Sequence, residues 1–203
     1  KRGARMIVRR VSPERGAIEL SREASFAVVD RDYQRHTREW RRIAALRMKC
    51  PLVEVETNVV VPVETASAKE EYAAATIRPR ISRQLGAFLE PLAKVALRRD
   101  SLGLELPAFD VSDVDAALAA LRIDRGVRGA PGLRGGTREA KRRLRAFIRD
   151  KLDRFDELRN DPNADCLSGM SPYLHFGQIS PLAVALEVGA SRRPGARAFL
   201  EEL

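Results

Sequence analysis

The chain has 203 residues, 44% of them hydrophobic, which is enough apolar surface for one large or two small globular domains. Thirty-seven Lys and Arg against 28 Asp and Glu give a net charge of +9 and a pI near 10.2. Such an excess attracts nucleic acid or anionic membranes, although scattered surface arginines give the same total. No apolar run reaches the roughly 18 residues of a membrane span, and Lys1–Arg10 lacks the apolar stretch of a signal peptide. A soluble protein without membrane partners is therefore expected.

The two cysteines indicate the redox compartment, and the chain ends indicate whether the sequence is part of a longer protein. Cys50 and Cys166 are far apart, which predicts no disulfide framework, zinc site or redox motif and fits a reducing compartment. The chain begins with Lys1 rather than Met, and no helix-ending signal follows Phe199–Leu203. We expect a fragment of a longer protein.

The first 60 residues have the pattern of a strand, a helix and a second strand. Ser25–Asp30 is a short apolar run rich in β-branched residues, typical of a buried strand. Apolar residues recur at helical spacings from Tyr33 to Met48, with Asp30 or Asp32 as the predicted cap. Leu52–Thr57 alternates apolar and acidic residues and is followed by the apolar run Val59–Val63, which together predict two strands, or one strand and an extended segment. This order is typical of a βαβ unit with a parallel sheet.

The middle of the chain predicts short helices. Ser67–Glu70 has a capping-box pattern that predicts a helix to Arg78, ended by Pro79. A second helix is expected from Ile81 to Leu97. A third, short helix capped by Ser112 is expected to reach Arg122.

A long helix is expected after a flexible joint. Gly126–Gly136 contains five glycines and is predicted to be a linker; its two Gly-x-x-Gly copies resemble phosphate-binding loops only weakly. Thr137 is the predicted cap of a helix that continues to Leu158, because its apolar residues follow the 3.6-residue period. The remainder is predicted to be helical.

Histidines and acid pairs do not suggest a catalytic or metal site. His36 is expected at the surface and His175 in the core, and neither has a neighbour at metal-ligand spacing. Acid pairs such as Glu70-Glu71 resemble helix-start charges rather than catalytic carboxylates. No catalytic residue and no metal ligand is assigned.

The most informative segment is Arg159–Ser180. It contains a polar turn at Asn160–Asp165, the small residues Ser168-Gly169, and Ser171-Pro172 at a predicted helix start. Such a loop can bind phosphate through free N–H groups and the helix dipole. A plain turn between two helices is the alternative.

These residues carry a family resemblance. RNDP followed by Ser-x-x-Ser-Pro-Tyr-Leu-His-Phe-Gly-Gln-Ile-Ser resembles the photolyase and cryptochrome segment that holds the flavin's pyrophosphate. The run VEVETNVVVPVETASAKEEYAAATIRPRI, which follows Leu52, resembles a stretch characteristic of class II photolyases. Two long motifs in the right order identify the chain as an internal fragment similar to the class II branch.

The resemblance implies an α/β then all-α fold class. Residues 1–97 would be the C-terminal part of a Rossmann-like parallel α/β, antenna-type domain. Residues 98–136 would be a long linker with a short helix, and 137–203 the start of an all-helical FAD-binding domain. An antenna chromophore of unknown identity would bind in the α/β part.

The function implied is that of a deoxyribodipyrimidine photolyase, a carbon–carbon lyase. It would repair cyclobutane pyrimidine dimers in DNA by light-driven electron transfer from reduced FAD. A monomer in the cytoplasm, or in the nucleus of a eukaryote, is expected. Because Trp40 is the only tryptophan, the family's tryptophan chain cannot be here, and the fragment alone is expected to bind FAD poorly and repair nothing.

Site residues follow from matched motif positions. Glu202 would bind the flipped-out pyrimidines, and Phe155 stands where the family usually has Tyr. The residues predicted to bind the cofactor are Phe155, Leu167, Ser168, Gly169, Met170, Ser171 and Phe199. Plain helix packing is the alternative for Phe199 and Glu202. For the protein, the alternatives are a cryptochrome-like photoreceptor and a non-catalytic, basic nucleic-acid-binding module.

Overall fold

The structure, a computed structural model, describes residues 3–93, 95–127 and 129–203. They form two compact units, the first from 1–55 and 93–131 and the second from 56–92 and 132–203. The functional boundaries expected near residues 97 and 136 stay predictions, since compactness does not assign a function. Lys94 of a predicted helix and Arg128 of the predicted linker lie outside the described residues.

Helices and strands follow one another along the chain with short connections. In order they are α1 (Pro13–Leu20), β1 (Ala27–Asp30), α2 (Arg35–Arg47), β2 (Leu52–Val55), α3 (Val63–Ala66), α4 (Ala74–Phe88), α5 (Val114–Ala119), α6 (Thr137–Asp150), a 3-10 turn (Leu152–Arg154), α7 (Phe155–Leu158), α8 (Ser171–His175), α9 (Pro181–Ser191) and α10 (Ala196–Glu202). The fold class, α/β followed by all-α, is confirmed.

The first unit contains a parallel βαβ element. β1 and β2 pair in parallel from Ala27 opposite Leu52 to Asp30 opposite Val55, and α2 is the crossover between them. The predicted capping of α2 by Asp30 or Asp32 is wrong, because Gln34 precedes the helix and makes no side-chain cap. Asp32 instead closes a local turn, its Oδ1 accepting from the amide of Tyr33 at 2.6 Å.

The predicted pair of helices around Pro79 is one helix. α4 begins only at Ala74 and continues through Pro79 to Phe88, so the predicted breaks at Pro79 and Leu97 are wrong. Pro79 is the sixth residue of α4, and its missing N–H costs one bond near the start of the helix. Ser67 does not begin a helix, since its Oγ donates to Glu71 Oε1 at 2.8 Å and accepts from the Lys69 amide.

Two predicted caps lie one residue from the observed ones. Asp113, rather than Ser112, caps α5, and its Oδ1 accepts from the amide of Asp115 at 3.0 Å. Gly136, at a φ of 104° that favours glycine, precedes α6, so Thr137 is its first residue and not its cap.

The second unit is helical around one hydrophobic core. The predicted helix from Thr137 to Leu158 is interrupted at Lys151, where φ is −127°, and resumes as the 3-10 turn and α7. Its predicted apolar face is nevertheless the buried one. The core comprises Ala140, Leu144, Phe147, Leu152, Phe155, Cys166, Met170, Tyr173, Ile179, Val184, Val188, Ala196 and Phe199.

The two histidines are both exposed. This confirms the prediction for His36 and contradicts the one for His175. α8 is a short turn whose buried side chain is Tyr173, 1% exposed, so His175, two residues further on, points to solvent. Across the described ranges, no helix is long and apolar enough to cross a bilayer.

Candidate anion-binding turn and charged pocket

The predicted phosphate-binding segment forms an exposed turn between two buried anchors. Cys166 and Met170 are 3% and 1% exposed and fix the ends of the turn in the core. Between them Leu167 and Gly169 face solvent, and Gly169 has a φ of 63°. A side chain at Gly169 would strain this left-handed backbone, so the turn depends on glycine there.

Backbone amides of this turn are available to a ligand. The Met170 amide donates to Ser168 Oγ at 3.3 Å. Within the part of the chain that the structure describes, no acceptor reaches the amides of Leu167, Ser168, Gly169 and Ser171. Unpaired N–H groups close together in one turn suit an anionic oxygen. The turn can therefore accept an anionic group.

The helix that follows the turn is held to residues 132–136. The Tyr173 hydroxyl donates to the Arg134 carbonyl at 2.7 Å, and the Gly136 amide donates to Gln178 Oε1 at 2.6 Å. Arg143 donates to the Gly132 carbonyl at 2.6 Å and lies over the Tyr173 ring. Sequence reasoning missed these roles, because no local pattern reports a contact between positions about 40 residues apart.

Phe155 and Phe199, predicted to lie near the cofactor, are core residues. They are 2% and 6% exposed, their ring centroids are 5.4 Å apart, and both stack against Phe147. Each ring already has apolar neighbours and little open surface. A contact between either ring and a flavin stays a prediction.

Gly195 positions α10 by allowing a very close backbone approach. A Cβ atom at this position would lie 1.9 Å from the Leu152 carbonyl oxygen and 3.3 Å from Phe155 Cβ. Only glycine permits this distance between the start of α10 and the 3-10 turn. Pro194-Gly195 is typical of an ordinary turn, so the sequence did not indicate that α10 depends on a close backbone approach at Gly195.

Glu202, predicted to bind substrate, forms an ion pair with the arginine of the RNDP motif. Arg159 Nη1 lies 2.8 Å from Glu202 Oε1, and Arg159 Nη2 lies 3.7 Å from Asp156 Oδ1. Arg159 Nε is buried and has no hydrogen-bond partner among the residues described. On the same helix, Glu201 pairs with Arg78 at 3.2 Å.

A pocket of about 370 Å³ lies beside this ion pair. Its walls carry both signs of charge and two small apolar residues. The residues lining it are Asp156, Arg159, Pro194, Arg197, Ala198 and Glu201. The pocket can accept a polar ligand. Over the described residues, no group of His, Cys, Asp or Glu is arranged to hold a metal ion.

This chain is similar to proteins named as photolyases. A family model described as DNA photolyase matches residues 1–96. The deoxyribodipyrimidine photo-lyase of Methanothermobacter thermautotrophicus is 45% identical over 203 residues, which are 100% of this chain and 44% of that protein.

Solved structures agree on the fold. A class III photolyase from Agrobacterium tumefaciens has a TM-score of 0.70 at 20% identity, and a Synechocystis cryptochrome has a TM-score of 0.74 at 18% identity. Each alignment covers 100% of this chain and 44% of the solved chain.

The chain belongs to the photolyase and cryptochrome family. It spans about 44% of the length of the Methanothermobacter relative.

Proposed function

We propose that this chain forms part of a class II photolyase that repairs cyclobutane pyrimidine dimers in DNA with light and reduced FAD. The observation that carries the proposal is the turn at 167–171, in which all amides but that of Met170 have no acceptor among the described residues and whose flanking side chains are fixed in the core. The similarity to a protein named deoxyribodipyrimidine photo-lyase supports it. The class II branch rests on the two sequence motifs.

The turn would hold the pyrophosphate of FAD mainly through the backbone. The amides of Leu167, Ser168, Gly169 and Ser171 would donate to phosphate oxygens, and the Ser168 hydroxyl would add a donor. Met170 would act indirectly, since its buried side chain fixes the turn. FAD, when bound, supplies the electron that splits the dimer. Amides fixed before binding lose little entropy when the anion arrives.

The Arg159–Glu202 pair would serve the substrate side. A carboxylate at Glu202 can accept hydrogen bonds from the N–H groups of pyrimidine rings, and the contact with Arg159 orients it. The adjoining pocket has polar walls that suit a base taken out of the stack. On this proposal Glu202 acts by orienting the dimer.

A chimeric enzyme tests the proposal. The stretch of the Methanothermobacter photo-lyase that aligns with residues 1–203 is replaced by this chain, which matches it without needing further truncation. We expect the chimera to bind FAD and to repair thymine dimers only under light. Ser168→Ala with Gly169→Val is expected to lower flavin content, because Val strains the backbone at a positive φ. Glu202→Gln is expected to lower repair and leave the flavin content unchanged.

The chimera experiment has one control variant, and two results would contradict the proposal. Arg22→Gln changes an exposed residue of the first unit and is expected to leave flavin and repair intact. A folded chimera with full flavin content but no repair would favour the cryptochrome-like alternative. If Ser168→Ala with Gly169→Val keeps its flavin, the turn does not hold the cofactor.

A further inference from the structure

Helix α6 (Thr137–Asp150) carries the basic excess of the second unit. It contains six basic and two acidic residues, whereas the remaining residues of that unit contain 11 basic and 13 acidic ones. Within the second unit, the excess of positive charge is therefore local to one helix. If the second unit simply had a surplus of arginine, the excess positive charge would be spread over all of its helices.

All but one of the cations of α6 lie on one side of the helix. At roughly 100° per residue, five of them fall within an arc about 100° wide, and this outer arc extends about 16 Å along the axis. The outer arc consists of Arg138, Lys141, Arg142, Arg145 and Arg149. The buried residues Ala140, Leu144 and Phe147 lie on the other side, so the outer arc faces solvent.

Acidic neighbours pair with three cations of the outer arc, but these side chains remain mostly exposed to solvent. Glu139 pairs with Arg142 at 2.6 Å, and Asp150 pairs with Arg149 at 2.6 Å, yet these arginine side chains remain 65% and 70% exposed. Arg145 lies 3.5 Å from Glu187 of α9 and is 71% exposed.

The two cations nearest the start of α6 have no acidic partner. Arg138 and Lys141 are exposed, and within the described ranges no carboxylate pairs with either. The sixth cation, Arg143, is outside the arc and is used within the fold, since it donates to the Gly132 carbonyl. Two cations of the outer arc are thus unpaired, and the other three keep most of their side-chain surface in solvent, so the arc can meet an external anion.

We infer that the outer arc of α6 is a docking surface for the phosphate backbone of duplex DNA, independent of sequence and of damage. DNA presents one phosphate per 3.4 Å along each strand, so about five phosphates per strand fall within 16 Å. A line of five cations on a rigid helix matches such a regular row of charge. The inference takes its polyanion from the proposed function but uses a surface apart from the 167–171 turn and Glu202.

Salt-dependent binding of the whole 203-residue chain tests this surface. Binding to an undamaged duplex of about 20 base pairs is measured by fluorescence anisotropy in the dark, without flavin, from about 50 to about 200 mM salt. The variant is Arg138→Gln with Lys141→Gln and Arg145→Gln. Each lost phosphate contact lowers the slope of log K against log salt by about 0.9. We expect a slope smaller by about 2 to 3, so the wild type loses roughly 40-fold more affinity across this range than the variant.

A matched control separates this surface from net charge. Arg22→Gln with Arg98→Gln and Arg99→Gln removes the same charge from exposed positions of the first unit, and its slope is expected to stay at the wild-type value. Equal slopes for the two triple variants, or no binding by the wild type, would overturn the inference. Should the α6 triple variant lose its circular dichroism signal, Arg138→Gln alone is measured, with an expected slope change of about 0.9.

Binding to an anionic membrane is the alternative that the experiment must distinguish from binding to DNA. Vesicles containing phosphatidylserine form a second arm, and tighter binding to them than to DNA, lost in the α6 triple variant, would overturn DNA as the partner. Because no flavin, lesion or light enters the assay, its failure leaves the photolyase proposal standing. Conversely, an inactive chimera would not contradict DNA binding by the outer arc.

Discussion

Arg159 and Glu202 are 43 positions apart in the chain and form a 2.8 Å ion pair that joins the RNDP motif to the end of α10. Both residues come from motif positions that sequence resemblance singles out, and the fold brings them into contact. Their side chains are 28% and 50% exposed, so solvent screens the pair.

The Arg159–Glu202 pair is expected to contribute little to stability. A double-mutant cycle with Arg159→Gln and Glu202→Gln should give a coupling free energy of about 0.2 to 1 kcal/mol, as for other exposed pairs. Urea unfolding of the four proteins measures it. A small value means that a repair defect in Glu202→Gln reflects the lost carboxylate and not unfolding. A coupling well above this range would instead make the pair a structural element.

Gly195→Ala is expected to destabilise the second unit. The added methyl would lie 1.9 Å from the Leu152 carbonyl oxygen, a backbone atom that moves only if the 3-10 turn moves. Overpacking of this kind costs about 1 to 3 kcal/mol. The midpoint of urea unfolding, with an unchanged slope, is the measurement.

Gly86→Ala is the matched control for Gly195→Ala. Gly86 lies in α4 and a Cβ there meets no atom within 4 Å, so the same change should be neutral or stabilise by up to about 1 kcal/mol. If the two variants unfold at the same urea concentration, the close approach at Gly195 does not constrain the fold.

Sequence patterns predicted the structural features that depend on residues close together in the chain. The βαβ element follows from an apolar run, a helical pattern and a period-2 pattern, and the buried face of α6 follows from the 3.6-residue period; both are confirmed. The predicted burial of the first strand is wrong, since Val28 in β1 is 55% exposed. The helix start at Ser171 also follows, because Pro172 favours a first turn. The predicted site residues 167–171 do lie in one turn for the same reason.

What the sequence could not predict depends on distant contacts. The Ser67 capping box fails for a local reason instead, because the Ser67 hydroxyl donates to Glu71, four residues on, rather than capping a helix. The burial of Phe155 depends on Phe199, 44 positions away. Gly195 looks like a turn residue until its distance to Leu152 is known. Local propensity contains no information about such pairs.

Glu139 is expected to make the stability of the chain sensitive to acid. Hydrogen bonds from Arg142 and then Arg143 lower the pKa of Glu139 from 4.5 to about 2. Because the folded pKa is the lower one, the stabilisation is present above pH 4.5 and is lost as pH falls from 4.5 to about 2.

Thermal unfolding followed by circular dichroism measures the effect of Glu139. Between pH about 5.5 and about 3, the wild type should lose more of its midpoint temperature than Glu139→Gln, which has no proton to gain there. Glu157→Gln, an exposed acid of α7, is the control and should follow the wild type. Identical losses in the wild type and Glu139→Gln would show that the pairs with Arg142 and Arg143 do not contribute.

The 203-residue chain by itself is expected to bind FAD at well below one equivalent. The 167–171 turn offers amides to the pyrophosphate, but Phe155 and Phe199 are closed into the core and present no ring face to an isoalloxazine. An anion contact alone gives weak, salt-sensitive binding, because surface charges are screened and little apolar area is buried. The absorbance spectrum of the purified chain, after gel filtration with excess FAD, gives the stoichiometry. Equimolar flavin that survives filtration would contradict this and would mean that the aromatic core opens to admit the cofactor.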